Sequence, residues 1–141
     1  MKINELIVTH NYLRHEDDVV EMIHYVKNGG LWTKECLVEY SKIKGFDRVS
    51  PLIQLTQFED GKIFVHDGHH RVVATWLAGR DFLYSEEFNL TQWKYADYLE
   101  INHQNGWYTP FDPRIHTRTP DFAQFKKKAR ELFNSDLDNA E

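Results

Sequence analysis

The spacing of apolar residues predicts a strand followed by two helices in the first third of the chain. Residues 3–8 form a short apolar run bounded by polar residues, which is typical of a strand. Acidic residues at positions 16–18 open a helix, because the helix dipole favours negative charge in the first turn. Gly29 and Gly30 end that helix. Thr33 is the predicted N-cap of a second helix, which ends at Gly45.

A hairpin and a third helix are predicted next. Residues 52–58 form one strand, residues 59–62 a turn with an Asp-Gly pair, and residues 63–65 the return strand. The chain then passes through a short polar stretch into a helix that ends at Gly79. Its apolar stripe consists of Val72, Val73, Trp76 and Leu77. Residues 82–84 predict a short edge strand.

The chain changes character from residue 90. Residues 90–101 predict a helix, and residues 102–119 a long loop rich in proline and aromatic residues. Aromatic residues are rare in disordered segments, so we expect this loop to pack against the body of the protein. A last helix is predicted to start at Thr119-Pro120-Asp121, which combines a cap, a proline at the first position and an early acid. The chain therefore divides into residues 1–89 and an aromatic-rich, helical extension at residues 90–141.

Composition narrows the classes of function. The net charge of −5 over 141 residues argues against a nucleic-acid partner, which needs clustered Lys and Arg. The single cysteine, Cys36, permits no internal disulfide and is expected to pack as a small apolar residue. We find neither a signal peptide nor an apolar run of membrane-spanning length, so a cytoplasmic location is expected. The sequence does not determine the oligomeric state, so a homodimer stays open as an alternative to a monomer.

The stretch from Asp67 to Arg71 carries the candidate chemistry. It reads Asp67-Gly68-His69-His70-Arg71 and lies where a strand turns into a helix. The first N–H groups of a helix attract anions, and phosphate is a frequent ligand at such a turn. The planar guanidinium of Arg71 suits phosphate oxygens. We therefore predict an anion site formed by Gly68, His69, His70 and Arg71.

Structural interpretations of the same residues stay open at this point. Asp67 can be the cap of the following helix, and the two adjacent histidines can be packing residues. Arg71 can belong to a surface ion pair. A transition-metal site is disfavoured, because His66 and Asp67 should point to opposite faces of a strand and no second ligand cluster is evident.

The same motif, with a hairpin before it and a helix after it, resembles the ParB/sulfiredoxin superfamily, and the form Asp-Gly-His-x-Arg looks most like its free-serine-kinase-type members. The resemblance implies an α+β fold with a small mixed sheet and flanking helices over residues 1–89. Two departures are informative. His69 occupies the position of sulfiredoxin's reactive cysteine, which disfavours thiol chemistry, and two of the three arginines of ParB's box are missing, which disfavours CTP-clamp behaviour. The sequence after residue 90 shows no convincing helix-turn-helix, so partition-type DNA binding is disfavoured as well.

The resemblance further implies a nucleotide-dependent phosphotransferase that uses ATP or ADP with magnesium and a small-molecule acceptor. Asp67 would then orient the acceptor hydroxyl or hold the magnesium ion. An acidic residue of the early helix would act as the base, for which we name Glu16 ahead of Asp17 and Asp18. The alternatives are a non-catalytic nucleotide- or anion-binding regulatory module and, third, a ParB-like DNA-binding or nuclease protein.

Overall fold

The computed structural model of the protein describes residues 1–8, 16–58, 61–93 and 109–110. Within these ranges the chain forms three α-helices: α1 (Glu16–Lys27), α2 (Lys34–Lys44) and α3 (His69–Leu77). It also forms five strands: β1 (Leu6–Val8), β2 (Ile53–Phe58), β3 (Ile63–Asp67), β4 (Phe88–Trp93) and β5 (Thr109–Pro110). Two single-turn 3-10 helices complete the regular structure of the described residues: Ile3–Glu5 and Ser85–Glu87.

The strands form one mixed sheet in the order β4-β2-β3-β1-β5. β2 and β3 pair antiparallel as the predicted hairpin, whereas β1 lies parallel to β3 and β4 lies parallel to β2. β5 pairs antiparallel with β1 at the other edge of the described sheet. The predicted α+β class with a small mixed sheet and flanking helices is confirmed.

The helix ends follow the capping chemistry predicted from the sequence. Thr33 caps α2, and its side-chain oxygen accepts a hydrogen bond from the backbone N–H of Cys36 at 3.3 Å. Gly45 ends α2 in the left-handed conformation, with φ of 71°. α3 ends in the same way, since Gly79 has φ of 97° and donates to the carbonyl of Trp76.

The main core lies between the sheet and the helices, where α1 packs against α3. Ile53 and Leu55 of β2 meet Val72 and Val73 of α3 in this layer, and all four side chains are buried. A second, smaller cluster consists of Ile7, Phe64 and Phe58. Successive side chains of a strand alternate between its two faces, which accounts for two clusters on one sheet.

Three sequence predictions are wrong in detail. The first strand does not span residues 3–8, because Ile3–Glu5 is a 3-10 helix and pairing starts at Leu6. Residues 82–84 form an isolated bridge between Lys2 and Phe82 instead of a strand. The helix predicted for residues 90–101 is wrong at its start, because Phe88–Trp93 pairs with β2 over six residues as β4.

The predicted boundary between residues 89 and 90 accordingly falls inside β4. The remainder of that predicted helix, residues 94–101, lies outside the described residues. So do the helix predicted from Thr119 and, apart from β5, the loop at residues 102–119. In the described part of the chain, no helix has both the length and the apolar character needed to cross a membrane.

Candidate anion-binding site

The turn between β3 and α3 requires a glycine for two separate reasons. Gly68 is the N-cap residue of α3 and has φ of 100°, which side-chain-bearing residues rarely adopt. A Cβ atom there would also lie 3.0 Å from Cγ1 and 3.3 Å from Cα of Ile53. The backbone of the turn is therefore packed directly on β2. Asp67 is not the cap, because Gly68 occupies that position and α3 has no side-chain capping hydrogen bond.

A β-bulge shapes the end of β3 just before this turn. Leu55 lies opposite Val65, but the preceding residue, Gln54, lies opposite Asp67, so His66 is the extra residue of the pair. A bulge interrupts the strict alternation of a strand and redirects the side chains that follow it. His66 and Asp67 are both exposed and both line one cleft. The bulge therefore places two consecutive residues of β3 along the same cleft.

The cleft has a volume of about 270 Å³ and is formed by the β3–α3 turn and one side of α1. It brings together the predicted residues Asp67, Gly68, His69, His70 and Arg71. Two residues of α1, Asp18 and Met22, line it from the other side. They are one helical turn apart, and residues with that spacing share a helix face. Glu16 begins the same helix, and its side chain lies outside the described part of the structure.

The Arg71 side chain of the cleft is buried and hydrogen-bonded to the backbone. Only 7% of its surface is exposed, and Nη1 donates a hydrogen bond of 2.6 Å to the carbonyl of Pro51. Burial lowers the pKa of the Arg71 guanidinium, while the carboxylate of Asp67 acts in the opposite direction. A guanidinium nonetheless keeps its charge at neutral pH. Arg71 is therefore a buried cation, and the interpretation as part of a surface ion pair is wrong.

The two histidines occupy the first turn of α3. His69 is buried and His70 half-buried, and their ring centroids lie 5.8 Å apart in an edge-on arrangement. The first backbone bond of the helix runs from the N–H of Val72 to the carbonyl of Gly68 at 3.0 Å. The backbone amides before Val72 lie at the positive end of the helix dipole, which favours an anion in the adjacent cleft.

The acidic residues of the cleft suit a hard cation better than a transition metal. No group of three or more His, Cys, Asp or Glu residues is placed to hold a metal ion within the described ranges. Mg²⁺ requires fewer protein ligands, since one or two carboxylates together with substrate phosphates commonly hold it. Asp18 and Asp67, which line the cleft from α1 and from β3, match that kind of donor set.

Sequence analysis missed Pro51, Met22 and Thr75, although each bears on the turn. Pro51 accepts the hydrogen bond from Arg71, and Thr75 donates one to the backbone carbonyl of Arg71. The spacing of Asp18 and Met22 on one helix was a usable signal, because four-residue spacing places both on one face. The contact with Pro51 joins residues 20 apart in sequence, and no local pattern predicts it.

Comparisons of the chain with protein-family models, with curated proteins and with solved structures find no match. The relationship to the ParB/sulfiredoxin superfamily therefore stays a prediction that depends on the turn motif.

Proposed function

We propose that the protein is a nucleotide-dependent phosphotransferase that acts on a small-molecule acceptor, with phosphate bound in the cleft at the start of α3. One observation carries the proposal: a single cleft of about 270 Å³ combines a glycine turn, a buried arginine and carboxylates from two different elements. Phosphoryl transfer depends mainly on positioning and on stabilising charge, and these groups supply both.

The size of the cleft fits the phosphate end of a nucleotide. Pockets for whole small molecules span roughly 300–1000 Å³, so a volume slightly below that range suits the phosphates and the reacting group. Gly68 lets the backbone approach a phosphate closely, and the start of α3 offers it a positive dipole. Arg71 contributes a fixed positive charge, and His70 is a second candidate ligand for the phosphate oxygens.

Within this proposal the two carboxylates have separate roles. Asp67 orients the hydroxyl of the acceptor from the end of β3. Asp18 takes its proton, which is the role for which sequence analysis named Glu16, because Asp18 lines the cleft from α1. The family resemblance implies ATP or ADP with magnesium, and Asp67 together with the phosphates would hold that ion, which leaves Asp18 to act as the base. When bound, Mg²⁺ would neutralise part of the charge on the phosphates.

The first experiment is a calorimetric titration of the protein with ATP, ADP, CTP and GTP in the presence of magnesium. We expect one of them to bind, and Arg71→Ala to weaken binding roughly tenfold or more, since a hydrogen bond to a charged group contributes about 1.5–3 kcal/mol. Arg48→Ala is the matched control, because Arg48 is exposed and is not among the described residues that line the cleft. Circular dichroism must show that each variant is folded.

Two results would reject nucleotide binding at this site: no response from the wild type, or an unchanged affinity in folded Arg71→Ala. Catalysis needs its own test. Asp18→Asn should keep nucleotide affinity within about threefold while losing most of the turnover with the acceptor, because a general base contributes about 10²–10⁴-fold. Turnover that persists unchanged in Asp18→Asn would show that Asp18 is not the base.

A second candidate function is a non-catalytic module that binds a nucleotide or anion. It is favoured by the contact between Arg71 and Pro51, since a guanidinium already held by a backbone carbonyl also stabilises the fold. Saturable binding without turnover, across all pairings of nucleotide and hydroxyl- or amine-bearing acceptor, would support this function over the first.

A further inference from the structure

A buried chain of hydrogen bonds reaches the first turn of α3 from the segment before α2. The indole Nε1 of Trp32 donates to the hydroxyl of Thr75 at 2.8 Å, and that hydroxyl donates to the backbone carbonyl of Arg71 at 2.7 Å. The backbone N–H of Trp32 in turn donates to Oε2 of Glu87 at 2.7 Å. Trp32, Thr75 and Glu87 have no solvent exposure.

The direction of these bonds is fixed by the chemistry of the groups. An indole N–H can only donate, so the hydroxyl of Thr75 must accept from it. The hydroxyl has one proton of its own, and the carbonyl of Arg71 is the acceptor placed to receive it. A threonine that bonds to the carbonyl four residues earlier is common in helices, but such a hydroxyl is normally able to rotate. Here Trp32 holds the hydroxyl in one orientation.

Arg71 is consequently held at both ends. Thr75 bonds its backbone carbonyl, and Pro51 accepts a hydrogen bond of 2.6 Å from its guanidinium. Nη2 of the same guanidinium lies 3.2 Å from the position that a Cβ of Gly68 would take, so the side chain runs directly along the turn. The described residues that line the cleft include Arg71 and Gly68, but neither Thr75 nor Trp32.

We infer that Thr75, oriented by Trp32, is a positioning residue for the anion site, because it sets the placement of the first turn of α3 and of Arg71. This inference rests on the proposed function. It assigns to a buried hydroxyl outside the cleft an effect on ligand affinity that is separate from its effect on stability. A misplacement of about 1 Å in a functional group can lower a reaction rate about 10²-fold. We therefore expect a loosened first turn of α3 to weaken ligand binding measurably as well.

The test compares Thr75→Val, which keeps the shape but removes the hydroxyl, with Thr75→Ser, which retains it. The probe is ADP with magnesium, titrated calorimetrically at a temperature where circular dichroism shows every variant to be folded. We expect Thr75→Ser to bind within about threefold of the wild type and Thr75→Val to bind roughly tenfold more weakly. The ¹⁵N–¹H signal of the Arg71 Nε group should move in Thr75→Val and stay near its wild-type position in Thr75→Ser.

The outcomes separate the inference from the proposed function. If wild-type protein binds ADP and folded Thr75→Val binds it equally well, the positioning role is wrong and the anion site stands. If the wild type binds none of ATP, ADP, CTP and GTP with magnesium, both are overturned; if it binds one of the others in place of ADP, the same comparison of variants is made with that nucleotide. If Thr75→Val fails to fold, Trp32→Phe replaces it, since it removes the indole donor and keeps an aromatic ring. Trp32→Phe should then weaken binding in the same direction, and an unchanged affinity would overturn the role.

Discussion

Arg80 and Glu87 form an ion pair inside the protein, with two parallel hydrogen bonds between them. Nη1 of Arg80 donates to Oε1 of Glu87 at 2.6 Å, and Nη2 donates to Oε2 at 2.8 Å. The backbone N–H groups of Tyr84 and Trp32 complete the contacts of the carboxylate, at 2.8 and 2.7 Å. The Glu87 side chain has no solvent exposure and the Arg80 side chain 14%. One carboxylate thus ties the end of α3 to the segment before α2 and to the start of β4.

We predict that Glu87→Gln destabilises the protein by about 3–5 kcal/mol, because it leaves the Arg80 charge uncompensated in the interior. Urea unfolding followed by circular dichroism measures the change. The control is Glu39→Gln, which breaks the exposed ion pair with Lys42 at 3.8 Å and should cost less than about 0.5 kcal/mol. Similar losses in both variants would contradict the importance of the buried pair.

The pKa of the Glu87 carboxylate predicts how the free energy of unfolding changes at acidic pH. Burial alone would raise the pKa of Glu87, but the hydrogen bonds from Arg80, Tyr84 and Trp32 together lower the pKa below its ordinary value of 4.5. A depressed pKa means that the carboxylate stabilises the folded state above pH 4.5, and that this contribution is lost as the pH falls through the folded-state pKa.

The free energies of unfolding of the wild type and Glu87→Gln should therefore differ by a constant amount between pH 7 and about pH 5.5. Below that range the difference should shrink. Urea titrations at half-unit steps down to pH 3 would measure it. A difference that stays constant to pH 3 would show that the folded-state pKa is not where the contacts of Glu87 place it.

Alanine substitutions at Gly68 and Gly79 distinguish two costs of a side chain in the β3–α3 turn: backbone strain and the close packing on β2. Gly68→Ala meets both a positive φ of 100° and the close atoms of Ile53. Gly79→Ala is the matched control, because Gly79 has φ of 97° and nothing lies within 4 Å of its added Cβ. We expect about 1–2 kcal/mol of destabilisation in Gly79→Ala from strain alone, and a larger loss in Gly68→Ala.

Chemical denaturation of both variants provides this comparison, and a titration with ADP and magnesium adds the functional one. Only Gly68→Ala should weaken binding, since only Gly68 lines the cleft at the start of α3. Equal stability losses in the two variants would mean that β2 yields to the added methyl group and that the close packing on Ile53 is not a constraint.

Local chemistry was sufficient to predict the helices and the hairpin. Thr33 and Gly45 mark the ends of α2 because capping and a left-handed conformation are properties of single residues. Gly68 and Arg71 were identified for similar reasons, since a glycine at a strand-to-helix turn and an adjacent arginine form a short-range pattern. The grouping of residues 67–71 along one cleft extends that pattern into three dimensions.

Features set by distant partners were not predictable in the same way. Phe88–Trp93 forms a strand because β2, more than thirty residues earlier, offers it a parallel partner. The bulge at His66 likewise exists only through the register with Gln54 and Leu55. Glu87 gives no sign in the sequence that it is buried while its neighbour Glu86 is exposed. Tertiary contacts decide such cases, and they override local propensity.

Tyr25 predicts a second pH dependence, at the alkaline end. Burial raises the pKa of Tyr25 to about 12, with a further contribution from Cys36, and its hydroxyl donates to the carbonyl of Leu31 at 2.6 Å. A raised pKa means that the neutral phenol stabilises the folded state below pH 10 and that this contribution is lost as the pH rises toward 12. Tyr25→Phe should therefore be less stable than the wild type by about 1 kcal/mol at pH 7–9.

The stability difference between the wild type and Tyr25→Phe should narrow between pH 10 and pH 11, because only the wild type must keep a half-buried phenol protonated there. Circular dichroism in urea measures it, since tyrosinate absorption disturbs fluorescence. Tyr40, whose ring centroid lies 4.8 Å from that of Tyr25, offers a second test: burial, followed by the charges of Glu21 and Asp18, raises its pKa to about 12 as well. Tyr40→Phe should show the same narrowing. Stability differences that stay constant up to pH 11 in both variants would contradict the predicted linkage between these two phenols and folding.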